Sequence, residues 1–196
     1  MSPLTITLAA ISEARLGAAA AEDLRAHRGL NGPRPRGTGQ LIDVVAEAGL
    51  TGRGGGGFPT ARKLASVAGR SPVVIANGAE ADPSSAKDRA LLARAPHLVL
   101  DGLEIVMEAV GATEGYLYAA APSLPAVRRA LAERATAGEI RSLRLVEAPA
   151  RFVAGEETAA VAAVEGRAAL PRDKTRLVVE AGVRGRPTLV QNVETL

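Results

Sequence analysis

The sequence contains no cysteine and no tryptophan, and only two tyrosines, two phenylalanines and two histidines in 196 residues. The missing cysteine excludes disulfides, thiol catalysis and thiolate-held zinc or iron–sulfur clusters within these residues. Two histidines, His27 and His97, are too few for a histidine-rich metal site, so no metal ligand is assigned. Aromatic residues at 2% leave little to stack on bases, and a net charge of +3 drawn from scattered arginines makes no basic stripe. No nucleic-acid partner is expected. No apolar run reaches the roughly 20 residues of a membrane span. The amino terminus has no basic stretch ahead of its apolar residues, as a signal peptide would. A cytoplasmic protein not integral to the membrane is expected, peripheral at most through a larger complex.

What is plentiful is small and aliphatic. Hydrophobic residues make up 47% of the chain, so the core must be built from Ala, Val, Leu and Ile rather than from rings. The length suits one domain with a sizeable core. A strand is predicted at Leu4–Leu8 and an Ala-rich helix at Ser12–His27, followed by Gly29–Gly39, whose four glycines and two prolines read as a linker. The chain is therefore divided into an amino-terminal arm, 1–39, and a domain, 40–196. Helices are predicted over Gln40–Ala48, stopped by Gly49, and from Pro59-Thr60 to near Gly69. From Pro72 the rhythm becomes strand Val73–Ala76, helix His97–Val110, strand Gly115–Ala119, helix Ser123–Ala137 with Ser123 as cap, strand Ser142–Glu147 and helix Glu156–Glu165. This alternation predicts an α/β, Rossmann-like fold: a mostly parallel sheet with flanking helices and a glycine-rich loop. Ligands of such sheets sit beyond the carboxyl ends of the strands, where the unusual loops Asn77–Ala86 and Ala148–Gly155 fall.

The strongest local signal is Gly52-Arg53-Gly54-Gly55-Gly56-Gly57-Phe58-Pro59-Thr60. Glycines permit positive φ and close approach of a ligand. Bare amides ahead of a helix start make a cradle for an anion, and Arg53, Arg62 and Lys63 add positive charge. No Gly-Lys-Ser/Thr follows, so this is not a Walker loop. It follows a helix rather than a strand, so it is not the usual dinucleotide fingerprint either. A flexible linker is the competing reading.

GRGGGGFPTARK resembles the GRGGxGFPTGxK signature of the flavoprotein subunit of complex I, a module shared with NAD-reducing hydrogenases and NAD-dependent formate dehydrogenases. Three further stretches follow in the family's order. NGAEADPSSAKDR (77–89) is similar to NxDExEPGTxKDR, FVAGEETAAVAAVEGR (152–167) to YxxGEETALxxxxEG, and GRPTLVQNVETL (185–196) to GxPTxxNNVET. The resemblance implies a Rossmann-like domain holding FMN and receiving hydride from NADH, with electrons passed to an iron–sulfur partner, a thioredoxin-like subunit or a ferredoxin. It implies FMN contacts at Gly52, Arg53, Gly54, Gly55, Lys63, Asn77, Glu80, Gly155, Glu156, Glu157, Asn192 and Thr195. The nicotinamide nucleotide would meet Phe58, Lys63, Glu80, Asp82 and Glu157. No catalytic side chain is assigned, because the cofactor carries the chemistry. The family's carboxy-terminal iron–sulfur domain is not expected in these 196 residues.

Each element also has a plain structural reading. Glu156 and Glu157 complement a helix dipole. Lys87-Asp88-Arg89 reads as a solvated first turn with Ser85 and Asp88 as a capping pair, and His97 after Pro96 as helix entry. The chain also departs from the pattern at Ala79, at Phe152 in place of Tyr and at Gln191. Ser66 and Leu177 stand where the family stacks phenylalanines on adenine. A non-catalytic interaction or assembly protein of the same fold, or an unrelated phosphate-binding domain, are the alternatives.

Overall fold

The computed structural model describes residues 22–80, 85–139, 143–173 and 176–196. The predicted strand Leu4–Leu8 and the start of the predicted helix Ser12–His27 lie outside them. Seven α-helices and four strands follow among the described residues: α1 Leu24–Asn31, α2 Gln40–Glu47, α3 Thr60–Val67, β1 Val73–Gly78, α4 Lys87–Arg94, α5 Pro96–Val110, β2 Glu114–Ala120, α6 Leu124–Thr136, β3 Leu143–Ala148, α7 Glu157–Val164 and β4 Thr188–Asn192. The sheet order is β3-β2-β1-β4, and every pairing is parallel. The predicted α/β, Rossmann-like class therefore holds.

β1 is central, with Val73, Val74, Ile75 and Ala76 fully buried, as a strand covered on both faces must be. The two-residue period divides its neighbours. Val74, Ala76, Leu117, Ala119 and Leu189 face α3, α4, α5 and α6. Val73, Ile75, Tyr116, Tyr118 and Val190 face Ala160 and Val161 of α7. Each fully buried aliphatic stabilises by about 1.5–3 kcal/mol. α5 lies so close to β2 that a Cβ on Gly115 would come 2.4 Å from the Met107 sulfur.

The chain runs β1 to β2 to β3 in one direction, then returns past β1 to place β4 on its far side. This reversal between β1 and β4 is a topological switch point, beyond whose carboxyl ends sheets of this kind hold their ligands in a crevice.

Three local expectations change. α1 begins at Leu24 with the Asp23 carboxylate accepting from the Ala26 N–H at 2.8 Å, and it continues past His27 to Asn31. Residues 32–39 are not a free linker: both Arg34 terminal nitrogens donate to the Glu108 carboxylate at 3.0 Å, and Gly37 N–H donates to it at 2.7 Å. A Cβ on Gly37 would sit 1.9 Å from the Ile105 carbonyl oxygen, so glycine here allows close docking on α5. Ser123 does not cap α6 with its side chain. It ends a 3-10 turn and already has helical φ/ψ, −87° and −18°, whereas a capping serine needs extended backbone.

A buried polar network fixes α1 on α5 and α6. His97, fully buried, accepts from Arg134 Nε at Nδ1 (3.2 Å), so its proton sits on Nε2 and is donated to Glu133 at 3.0 Å. Glu133 also accepts the Leu24 N–H at 2.8 Å, tying the start of α1 to α6. His27 accepts from Asn31 at Nδ1 and donates from Nε2 to Asp101 at 2.7 Å, and Arg134 donates to the same carboxylate at 2.5 Å. Instead of merely starting a helix, His97 is a core residue. Burial pushes its imidazole below the ordinary value of 6.5, and the neighbouring Arg134 guanidinium and His27 act in the same direction against the Glu133 hydrogen bond. A second proton at Nδ1 would point at the Arg134 donor.

A histidine with a depressed native pKa stabilises fully above its unfolded value of about 6.5, and that stability is lost as pH falls through the native value. The urea midpoint should therefore drop between about pH 8 and about pH 5.5. His97→Gln should start lower, having lost part of the network, and show a shallower drop. An equal acid slope in both proteins would contradict the tautomer assignment.

Candidate functional site

The glycine loop is a closed turn rather than a linker. Thr51 and Pro59 form an antiparallel bridge, Gly52 N–H donates to Phe58 O and Thr60 N–H to Leu50 O, both at 2.9 Å. Gly55 and Gly57 have φ of 98° and 56°, a region open to glycine at no steric cost. A Cβ at Gly55, Gly56 or Gly57 would meet nothing within 4 Å, so the turn faces open space. The turn thus presents the backbone of Gly54 to Gly57 to that space.

The loop is anchored against the switch point. Arg53 N–H donates to Thr195 Oγ1 at 2.9 Å, and a Cβ on Gly54 would lie 3.6 Å from Asn192 Cβ. Asn192 ends β4 and is the register partner of Asn77, the penultimate residue of β1. The Asn192 amide donates to Asn77 O at 3.2 Å and to Asp88 Oδ2 at 2.8 Å, while its oxygen accepts from Lys87 Nζ at 3.0 Å and Glu194 N–H at 3.1 Å. Both ends of that carboxamide are engaged within the protein. Asn77 donates to Gly155 O at 2.9 Å and accepts from Ala79 N–H at 3.1 Å, which ties the end of β1 to the turn before α7. These two asparagines set the floor of the crevice.

The walls come from helix amino termini. Glu156 caps α7, its carboxylate accepting from the N–H groups of Thr158 and Ala159 and from the Thr158 hydroxyl. Glu157 follows and lies 3.5 Å from Lys63 Nζ on α3, both side chains about one quarter exposed. This pair joins the helix after the glycine loop to the helix of the GEET segment. Thr60 Oγ1, buried at the first residue of α3, has no hydrogen-bond partner among the described residues. Glu80 accepts from Ser85 Oγ at 2.5 Å and from Asp88 N–H at 3.2 Å.

Gly52, Arg53, Gly54, Asn192 and Thr195 are thus joined at one edge, Asn77, Gly155, Lys63 and Glu157 at the next, and Glu80 through Asp88. Gly55 extends from the first edge into the open part of the turn. Asp82 lies outside the described residues. Phe58 is 54% exposed and Phe152 74%, so neither ring packs in the core. Ser66 turns its hydroxyl back to Lys63 O, and Leu177 is solvent-facing.

The reading of Lys87-Asp88-Arg89 as a solvated turn is overturned. Ser85 donates to Glu80 instead of pairing with Asp88, and α4 has no side-chain cap. Asp88 is 3% exposed and bonded to Lys87 at 2.6 Å as well as to Asn192. Burial pushes the Asp88 carboxyl above its ordinary value, against the pull of Lys87 and Asn192. Partial burial acts to lower the Lys87 ammonium, but its bonds to Asp88 and Glu194 outweigh this and hold it above the ordinary value. The motif itself was the available signal, since KDR closes the second of the four stretches.

The arrangement offers bare amides and an ammonium for a phosphate, and a polar floor at the switch point for a flat ring. Comparison with known proteins agrees. Residues 45–196 match the family described as the Nuo51 FMN-binding domain. The chain is 34% identical to an NADH-quinone oxidoreductase subunit of Salmonella typhimurium over 89% of its own length and 44% of the relative's. It is 35% identical to the NADH-quinone oxidoreductase subunit of the same name in Aquifex aeolicus, over 80% of its length and 40% of the relative's. A crystal structure of an NAD+-reducing [NiFe]-hydrogenase superposes over the whole chain and 33% of the hydrogenase chain, with TM-score 0.73 and 32% identity. The chain thus spans less than half the length of these relatives. With the four motifs gathered at one switch point, the chain belongs to the FMN-binding domain family of the NADH dehydrogenase flavoproteins.

Proposed function

We propose that this chain is the flavin-holding module of an NADH dehydrogenase, taking hydride from a nicotinamide nucleotide and releasing electrons to an iron–sulfur partner. The observation that carries the reading is the seating of the glycine turn on Asn192, next to the Lys63–Glu157 pair. FMN, when bound, supplies the conversion of a two-electron donor to single-electron transfer.

The protein's own residues bind and orient. The outward-facing backbone of Gly54 to Gly57 and the Lys63 ammonium suit the phosphate tail, and the buried Thr60 hydroxyl, without a partner among the described residues, adds a donor beside them. Asn77 and Asn192, locked by Gly155 and Asp88, keep the crevice floor from collapsing into it. Phe58, Glu80, Asp82 and Glu157 are the candidate contacts for the nicotinamide nucleotide. No side chain is required as acid or base, because hydride carries its own electron pair. Because these residues include no cysteine, a cysteine-held acceptor lies elsewhere: on a thioredoxin-like subunit, a ferredoxin or another segment. No helix among the described residues is long and apolar enough to cross a membrane, which suits a peripheral place in a larger assembly. Residues 40–196 form the nucleotide-binding domain in this reading, with 1–39 as its arm.

FMN added to the purified chain should lose fluorescence in a saturable titration. Gly54→Val, which presses a branched side chain toward Asn192, should weaken binding roughly tenfold or more. Unquenched flavin in the parent chain would remove the reading. Anaerobic NADH should bleach the bound flavin. Its affinity should be low, because two stacking faces worth about 0.5–1.5 kcal/mol each are missing at Ser66 and Leu177. Ser66→Phe combined with Leu177→Phe should therefore tighten NADH about tenfold or more. No change on restoring both rings would place the adenine elsewhere.

A further inference from the structure

A second charged cluster occupies the opposite, amino-terminal end of the sheet. Glu114 opens β2, and its carboxylate receives both hydrogen bonds from Arg184 (2.6 and 2.5 Å), one from Arg186 (2.8 Å) and one from the Tyr116 hydroxyl (2.5 Å). Arg144 of β3 stands 3.8 Å away, its guanidinium 6.0 Å from the Tyr116 ring centre. Arg167, beyond α7, pairs with Glu165. Between these groups lies a cavity of about 390 Å³ lined by Tyr116, Arg144, Val164, Glu165, Arg167 and Arg184. Four guanidiniums face two carboxylates, a surplus of two positive charges. Arg144 and Arg184 remain 62% and 52% exposed, so part of each five-donor fork is open to a ligand.

Backbone strain converges on the same place. Among the described residues only Ser71 and Arg184 are non-glycine residues with positive φ, at 49° and 52°. Both belong to the cluster: Arg186 donates to Ser71 O at 2.7 Å, and Arg184 N–H donates to Glu165 at 2.6 Å. A left-handed arginine is strained where a glycine would not be. The Arg184 N–H on Glu165 and its guanidinium on Glu114 hold this left-handed residue at the rim of the cavity, with half of its side chain exposed.

We propose that this cavity binds the phosphate group of a small anionic metabolite, with Arg144, Arg167 and Arg184 as its donors. Planar forks match phosphate oxygens in pairs. The volume falls within the roughly 300–1,000 Å³ of small-molecule sites, too little for a folded partner. The six residues of β1 separate it from the flavin crevice by roughly 20 Å at about 3.3 Å per residue, so the two sites are distinct.

Nitrogen-15 spectra of the whole chain, following the arginine Nε–H signals, test this during titration with inorganic phosphate, pyrophosphate or AMP at constant ionic strength. Saturable shifts of Arg144, Arg167 and Arg184 are expected. Affinity should fall roughly tenfold or more in Arg184→Gly, which keeps the left-handed backbone but removes the fork, and in Arg144→Gln. A preference for AMP over inorganic phosphate would assign a nucleotide, and equal affinity the free ion. Linear, unsaturated shifts overturn the proposal. So does unchanged affinity in both variants, or saturation by oligoglutamate alone. FMN quenching should be the same in both variants as in the parent, which separates failure here from failure of the flavin reading.

Discussion

The carboxamide of Asn192 is the contact on which the crevice depends. It makes four hydrogen bonds, two donated and two accepted, with three segments: the end of β1 and the start of α4, both more than 100 residues away, and the turn after β4 itself. One of its partners is the buried carboxylate of Asp88, and a hydrogen bond to a charged group contributes about 1.5–3 kcal/mol. Loss of the amide would also leave that carboxylate without its neutral donor in a place water does not reach. The same residue backs the glycine turn at Gly54. One side chain thus sets the end of two strands, the entry of a helix and the seat of the loop. Lys87 adds the countercharge, bonding Asp88, Asn192 and Glu194 together.

The sheet supports this from beneath. Because β1 carries fully buried aliphatic residues on both faces, its carboxyl end is held rigidly, and the reversal of strand order at β4 leaves the crevice open. The two helices that aim their amino termini at it, α3 and α7, approach from opposite faces of the sheet, which is why Lys63 and Glu157 can meet across it. Positive helix ends from both faces and bare amides from the turn give the crevice an anion-attracting mouth without a dense basic patch. The amino-terminal end works differently, with side-chain guanidiniums in place of backbone amides.

Much of this fold was legible in the sequence because local punctuation and packing agreed. Glycine ended helices, the β-branched run 73–76 made the central strand, and alternation of elements gave the parallel sheet. The four motifs named Gly52, Lys63, Asn77, Glu157 and Asn192, which are joined in space. β4 was not legible as a strand: TLVQN carries Gln191, which is only 4% exposed but looks like a surface residue when read alone. Asp88 was misread for a related reason. A charged triplet is normally solvated, and its burial here depends on Asn192, 104 positions away. The left-handed Arg184 and the acceptance of Arg134 Nε by His97 are likewise tertiary facts. Composition carries no trace of them.

The central claim is that the glycine turn and the ends of β1 and β4 make one cradle for a flavin phosphate and ring. Backbone and side-chain amide spectra recorded with and without FMN test it most directly. The account predicts that the largest shifts fall together on the amides of Gly54 to Gly57, on Lys63 and on the side chain of Asn77. Shifts confined to another face of the molecule, with the glycine turn unmoved, would contradict it.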